Sequence, residues 1–195
     1  EKSDDAAQQE SKYIEYETIN DVISALDDHA HEYYVNLKSN IGAPLILFDF
    51  CIEHILRLLR IVKFKEGNAV LLGIPGTGKR TVARFVAYLT QSEIIEFTNI
   101  YTLHEDFKSM CIRCGINGKK TLLIIGDEAM KNDRFMEDIS SLMNGSDITA
   151  LFSNDDVDRI CTDSVFFAKL AGENESKQNL INLFLERLRN NVHII

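Results

Sequence analysis

Residues 73–81 read Gly73-Ile74-Pro75-Gly76-Thr77-Gly78-Lys79-Arg80-Thr81, the pattern G-x-x-x-x-G-K followed by arginine where serine or threonine is expected. Glycines let such a loop curl around a phosphate with its N–H groups pointing inward, because a Cβ would block the close approach. The lysine then reaches the β- and γ-phosphates as a point charge. The apolar residues 69–72 predict a buried strand before the loop, and apolar spacing predicts a helix over residues 81–90. Strand, glycine loop and helix together favour a phosphate-binding loop over an ordinary glycine turn.

A second stretch supports this interpretation about fifty residues later. Residues 122–128 run through four apolar residues and a glycine to Asp127 and Glu128. In a phosphate-loop ATPase such a strand is the Walker B strand, whose first carboxylate lies beside Mg²⁺, directly or through water. Its second carboxylate orients and activates the attacking water. We therefore expect Asp127 at the metal and Glu128 as the catalytic residue, on a strand next to the phosphate-loop strand; a plain acidic turn is the alternative.

Arg80 departs from the usual motif. The hydroxyl that normally follows the lysine is a Mg²⁺ ligand, and a guanidinium cannot coordinate a cation. Thr81 lies one position later, where its hydroxyl is closer to the α-phosphate. We expect phosphate binding to survive, with metal placement impaired and hydrolysis slowed, since the metal normally neutralises the transferring phosphoryl group. Arg80 either replaces part of the missing metal charge or points to solvent.

Composition narrows the possible functions. The 195 residues suit one domain or a domain with an appendage, and 45% of them are hydrophobic. A net charge of −9 argues against a nucleic-acid partner, and the sequence contains no apolar run of membrane-spanning length. Four cysteines in a chain this long do not make a disulfide framework. Cys111 and Cys114 form a CxxC pair without a second pair, which favours packing over a metal or redox role.

The remaining pattern alternates strands with helices and predicts an α/β fold with a parallel sheet flanked by helices. Residues 1–15 are predicted to be disordered or a linker, residues 16–66 to form leading helices, and residues 67–195 to form the nucleotide-binding part. We predict helices over residues 18–37, 45–62, 104–114, 135–143 and 177–189, a short segment near 155–160, and further strands at 94–97, 121–125 and 192–195. The sequence ends inside an apolar strand, which suggests a fragment of a longer protein.

Several motifs in order resemble one family. They are Pro44-Leu45-Ile46-Leu47-Phe48-Asp49 with Ile52-Glu53-His54-Ile55, Gly67-Asn68-Ala69-Val70-Leu71-Leu72-Gly73, Glu105-Asp106-Phe107-Lys108, Phe135-Met136-Glu137-Asp138-Ile139 and Phe184-Leu185-Glu186-Arg187-Leu188-Arg189. From about residue 16 onward the chain resembles an AAA+ module of a dynein heavy chain motor. It is most similar to the fourth module of the ring and to the axonemal type.

The resemblance implies a P-loop NTPase of the AAA+ type that lacks its C-terminal helical lid and is truncated in the sensor strand. It implies ATP or ADP in the loop, weakly bound Mg²⁺, and an adenine pocket involving Ile46, Leu47, Phe48 and Asn68. The implied role is a regulatory module with slow or impaired ATP hydrolysis. The implied partners are neighbouring AAA+ modules, a microtubule contacted through another domain, and dynein intermediate and light chains. The implied location is the axoneme of a cilium and the cytoskeleton, with the cytoplasm as alternative.

Three other interpretations stay open at this point. The nucleotide could be a permanent structural cofactor without turnover, which Arg80 favours and Glu128 opposes. The chain could be a stand-alone small-molecule kinase, although no substrate-lid segment is evident. A nucleic-acid AAA+ machine is disfavoured by the net charge.

Overall fold

The computed structural model describes residues 17–36, 45–97, 101–144 and 151–195. By its internal contacts the chain divides into two compact units, residues 1–52 and residues 53–195. The predicted disordered or linker segment at residues 1–15 lies outside the described residues. Within the described parts, every helix is too short or too polar to span a lipid bilayer.

Helices form most of the described chain and occur where the apolar spacing predicts them. A short 3₁₀ turn (Ala129–Lys131) follows the Walker B sequence. The α-helices are α1 (Ile19–Asn36), α2 (Asp49–Lys63), α3 (Lys79–Leu89), α4 (Leu103–Asn117), α5 (Asp133–Met143), α6 (Asn154–Ala171) and α7 (Lys177–Asn191).

Three helices differ from the prediction by more than two residues at one end. Helix α2 begins at Asp49, so residues 45–48 are not helical. Helix α4 does not end at Gly115 but continues to Asn117 and ends at Gly118, whose φ of 65° suits the left-handed helix terminus. Helix α6 is an 18-residue helix rather than a short segment.

Three short strands form a parallel sheet: β1 (Glu93–Glu96), β2 (Thr121–Ile124) and β3 (Val192–Ile194). Their order is β1-β2-β3, with Glu96 opposite Ile124 and Leu123 opposite Ile194. Helices pack against this sheet, α3 on β1 and β2 and α7 on β3. The predicted fold class, a parallel sheet flanked by helices in a P-loop NTPase fragment, is confirmed.

The predicted strand over residues 69–72 is absent from the described residues. The Ala69 N–H donates to the Ile194 carbonyl (2.9 Å), but Val70 and Leu72 beyond it are exposed. Residues 67–72, which lead into the phosphate loop and are here called the loop lead, therefore lie beside β3. Strand β3 lies between the loop lead and the Walker B strand β2. The expectation that the lead and the Walker B strand are direct neighbours is wrong. Strand β1 does lie outside the pair, as expected.

The core lies between the sheet and helices α4 to α7. Leu123 of β2 belongs to a cluster of buried side chains that includes Phe107, Phe135 and Phe184. Edge-to-face ring contacts organise this cluster, with 5.6 Å between the centroids of Phe107 and Phe135. Because side chains alternate along a strand, the equally buried Leu122 faces the opposite side of the sheet. Both faces of β2 are therefore covered, which fixes the position of the acidic residues that follow it.

Candidate nucleotide-binding site

The glycine loop has the backbone that phosphate binding requires. Gly76 and Gly78 adopt φ angles of 85° and 80°, which L residues with a Cβ rarely accept. Helix α3 begins directly after them at Lys79, and no side chain caps its N-terminus. The first N–H groups of α3 therefore remain available to an anion at the positive end of the helix dipole.

Lys79 is folded back onto the loop. Its Nζ donates hydrogen bonds to the carbonyl oxygens of Gly73 (2.6 Å) and Ile74 (2.9 Å). The Thr77 hydroxyl donates to the same Ile74 carbonyl at 2.9 Å. The ammonium charge thus lies inside the curl of the loop, where a phosphate oxygen could replace the carbonyls as its partner.

Arg80 does not simply point to solvent. Its Nε lies 3.2 Å from Oε1 of Glu96, the last residue of β1. Arg84, one turn later on α3, contacts the other oxygen of the same carboxylate at 2.6 Å. A Cβ added to Gly126 would lie 2.8 Å from Nη2 of Arg80, so the guanidinium rests against the backbone that follows β2. The side chain bridges the ends of β1 and β2 beside the phosphate loop.

The acidic pair lies at the predicted place, just beyond β2. Asp127 and Glu128 are exposed in the turn before Ala129. Glu128 accepts a hydrogen bond from Nζ of Lys131 at 2.8 Å, and this contact raises the pKa of Lys131. Both side chains of this ion pair are more than two-thirds exposed, so the pair contributes little to stability. Glu128 is therefore free to exchange Lys131 for a water molecule.

These residues do not fit a complete magnesium site. The usual hydroxyl ligand is replaced by Arg80, whose guanidinium lies against Gly126, the residue before Asp127. Within the described ranges, no three His, Cys, Asp or Glu side chains come together in a way that could hold a metal ion. Asp127 remains the single predicted metal contact, and its role stays a prediction.

The other predicted binding residues are only partly placed. Thr81 is exposed on the first turn of α3, and Pro75 lies at the exposed turn of the loop. Leu47 and Phe48 precede α2 in the first unit, and Phe48 is 57% exposed. The adenine pocket expected at these residues stays a prediction.

Three residues near the loop, Glu96, Gly126 and His193, were missed from sequence, whereas Asn68 was expected at the adenine pocket. Glu96 and Gly126 position Arg80. Both lie at the carboxyl ends of parallel strands, and this location was the available sequence signal, because ligand sites form where such ends converge. Asn68 and His193 fix the loop lead to β3. The Asn68 Oδ1 accepts from the Ile194 N–H at 2.8 Å, and His193 Nδ1 lies 2.8 Å from the Gly67 carbonyl. No sequence signal identifies these two hydrogen bonds, because each joins residues that are 126 positions apart.

The CxxC pair is part of the packing. Cys111 and Cys114 are buried in α4, and burial raises the pKa of both thiols. The Cys114 thiol donates to the Thr121 hydroxyl at the start of β2 (3.2 Å). Thiols in this environment stay protonated, which agrees with a packing role.

The parallel sheet, the left-handed glycines and the lysine in the loop define an α/β protein of the P-loop class, and comparison with known sequences specifies the family. Residues 43–195 match the family described as "P-loop containing dynein motor region D4". The chain therefore belongs to this dynein motor family and is an AAA+ module of a dynein heavy chain type.

Curated relatives agree with the family match. The chain is 28% identical over 181 residues to "Dynein axonemal heavy chain 1" of Rattus norvegicus, covering 90% of this chain. It is 31% identical over 172 residues to "Dynein axonemal heavy chain 3" of Mus musculus, covering 83% of this chain. It is 27% identical over 187 residues to "Dynein-1-beta heavy chain, flagellar inner arm I1 complex" of Chlamydomonas reinhardtii, covering 92% of this chain. In each case the match spans 4% of the relative's length.

Proposed function

We propose that this chain binds ATP or ADP through residues 73–81 and acts as a regulatory AAA+ module, most like the fourth, of a dynein motor ring. The observation that carries the proposal is the loop itself. Two left-handed glycines precede an uncapped helix N-terminus, and the Lys79 ammonium lies within the curl. Membership of the dynein motor family supports the same role.

The proposed division of labour follows the positions of the side chains. The N–H groups of the loop and the first turn of α3 bind phosphate oxygens, and Lys79 exchanges the Gly73 and Ile74 carbonyls for them. Thr81 contacts the α-phosphate side, and Leu47 and Phe48 contact the adenine. These assignments together place the triphosphate along the loop, with its terminal end towards Asp127 and Glu128.

Hydrolysis at this site is proposed to be slow. Glu128 orients the attacking water as a general base. It can do so because its partner Lys131 is exposed and can be exchanged for water. Mg²⁺ would supply charge neutralisation of the phosphoryl group, but Arg80 replaces its hydroxyl ligand, so Asp127 would hold Mg²⁺ only weakly, directly or through water. Slow turnover would make the bound nucleotide a long-lived signal that biases contacts with neighbouring modules.

The parent protein is proposed from its relatives. Axonemal heavy chains in rat and mouse and a flagellar inner-arm heavy chain match this chain. We propose a microtubule-motor ATPase of the ciliary axoneme and cytoskeleton, with the cytoplasm as the alternative location. Its partners would be the neighbouring modules of its own ring, a microtubule reached through another domain, and dynein intermediate and light chains. The net charge of −9 agrees with a microtubule contact made elsewhere.

A structural nucleotide site without turnover is the second candidate. The observation that favours it is the contact of Arg80 with Glu96 and Gly126, because this fixes a cation where the metal ligand should be. Measured turnover decides between the two candidates, and binding alone does not.

The experiment that tests the shared part of both candidates is a binding titration. ATP and ADP affinities are measured by calorimetry for the purified protein and for Lys79→Ala. Loss of charge-assisted hydrogen bonds to phosphate should weaken binding about 10- to 100-fold. Lys65→Ala, which removes an exposed lysine outside the loop, is the matched control and should bind like the unmodified protein. No measurable binding by the unmodified protein would overturn the proposed function.

A further inference from the structure

The Arg80 guanidinium lies between the Glu96 carboxylate and Gly126, a position that is here called the corner. Glu96 is 18% exposed and has one carboxylate oxygen on Arg80 and the other on Arg84. Side-chain dihedrals cost entropy to fix, and a carboxylate shared between two arginines of one helix restrains both of them. The Arg80 side chain is 63% exposed, and the Glu96 carboxylate is the contact that directs its guanidinium towards β1 and β2.

Gly126 completes this corner from the side of β2. A Cβ at this position would approach Arg80 Nη2 to 2.8 Å, closer than ordinary contacts allow. With no Cβ, the planar guanidinium can rest against the backbone immediately before Asp127. The φ angle of Gly126 is not left-handed, so the backbone itself does not require glycine at this position. The missing side chain instead leaves space for the guanidinium.

The corner carries surplus positive charge. Arg80, Arg84 and Glu96 sum to a charge of +1, and the carboxylates of Asp127 and Glu128, which follow Gly126, lie outside this trio. This charge is at the residue after Lys79, where a phosphate-loop protein places its metal ligand. A guanidinium at that position does not coordinate a divalent cation, whereas it attracts a nucleotide phosphate.

We propose that the Arg80 guanidinium takes the place of the divalent cation, so that this site binds nucleotide di- and triphosphates without Mg²⁺. This inference rests on the proposed nucleotide-binding function and specifies the charge that the bound phosphates meet. Glu96 and Arg84 act as positioning residues, and Gly126 provides the room.

The test compares ATP and ADP binding in excess EDTA and in excess Mg²⁺ at matched ionic strength, using calorimetry on the purified protein. The unmodified protein should give dissociation constants that agree within about twofold between the two buffers. Arg80→Thr restores the usual hydroxyl and should bind ATP at least about tenfold more tightly with Mg²⁺ than with EDTA. Arg80→Ser repeats the test with the other usual residue.

Arg57→Thr is the matched control, because it makes the same change of charge and loses a carboxylate partner, Glu53, on α2 outside the phosphate loop. It should remain independent of Mg²⁺. A strong Mg²⁺ requirement in the unmodified protein would overturn the inference and leave nucleotide binding intact. Arg80→Thr and Arg80→Ser that both stay indifferent to Mg²⁺ would overturn it as well. Absence of binding in both buffers would instead remove the proposed function itself.

Discussion

At the scale of single residues, the candidate site combines two left-handed glycines and a lysine with an arginine where the motif has a hydroxyl. The motif and its departure at Arg80 are both legible in the sequence. The direction of the Arg80 side chain cannot be predicted from the sequence, because its partners Glu96 and Gly126 are brought together by the pairing of β1 with β2. The register between two strands is set by tertiary contacts. Local sequence pattern therefore identifies the residues of this site better than it identifies the contacts between them.

Glu128 provides the residue-scale prediction. Replacement by glutamine keeps the size of the side chain and removes the base that activates water, so ATP turnover should fall at least about tenfold. ATP affinity should change little, since Glu128 is 77% exposed and contacts Lys131 rather than the loop. Steady-state phosphate release, measured beside calorimetric binding, checks both statements.

Glu137→Gln is the matched control, because Glu137 is an exposed carboxylate on α5 outside the site. Its turnover should equal that of the unmodified protein. Tight ATP binding with no turnover in any of the three proteins would favour the structural nucleotide site over slow hydrolysis. Undiminished turnover in Glu128→Gln would show that another group activates the water.

At the scale of elements, a helix is predicted more completely from sequence when its buried face carries large apolar side chains at helical spacing. Helix α3 is predicted because large apolar side chains recur at helical spacing and become buried. Helix α6 is predicted only as a short segment near residues 155–160, because its fully buried positions are Ile160, Ser164 and Ala168. Two of these three are small or polar, so the apolar stripe is weak. The Ser153 and Asp156 capping box marks the start of α6 and was the available signal.

The contact between α4 and α7 depends on the absence of a side chain at Gly115. A Cβ there would lie 2.2 Å from Cε2 of Phe184, a fully buried ring on α7. Gly115→Ala should therefore lower the free energy of unfolding by about 1–2 kcal/mol, since overpacking costs about 1–3 kcal/mol and alanine regains at most about 1 kcal/mol of helix propensity. Urea denaturation measures the change.

A double-mutant cycle identifies the cause of this loss. Phe184→Leu removes the ring that the new methyl group meets, so the double variant should be more stable than the sum of the two single effects predicts. Ser109→Ala, an alanine substitution on the exposed face of α4, should cost nothing measurable. Additive effects in the cycle would mean that Gly115→Ala destabilises α4 by a route other than Phe184.

At the scale of the whole molecule, the phosphate loop is held by the far end of the chain. Sequence pattern predicts a parallel sheet, which is confirmed, but it places the loop lead next to β2. The lead instead bonds to β3 through Ala69, and Asn68 and His193 add side-chain hydrogen bonds. Strand order depends on which apolar edges meet after the chain has folded, and short strands of similar composition do not encode that choice locally.

This long-range anchor makes the stability of the molecule sensitive to pH. Burial lowers the pKa of His193 below its ordinary value of 6.5, and nearby Lys120 acts in the same direction, whereas the hydrogen bond to Gly67 opposes it. The unfolded chain therefore binds a proton that the folded protein excludes, so stability is lost as the pH falls through about 6.5. For one such group the slope is at most about 1.4 kcal/mol per pH unit. Asp156, whose pKa Lys108 and Ser153 lower to about 2, contributes its own loss only below its ordinary value of 3.8.

His193→Gln isolates this effect, because glutamine retains a hydrogen-bond donor for the Gly67 carbonyl but does not titrate. Between about pH 8 and about pH 5.5, urea denaturation should show a smaller loss of stability for His193→Gln than for the unmodified protein. His29→Gln, which changes an exposed histidine on α1, should keep the unmodified slope. An equal slope in His193→Gln and the unmodified protein would mean that the folded state accepts a proton on His193 as readily as the unfolded chain. In that case the contact between β3 and the phosphate-loop lead would not require a neutral imidazole.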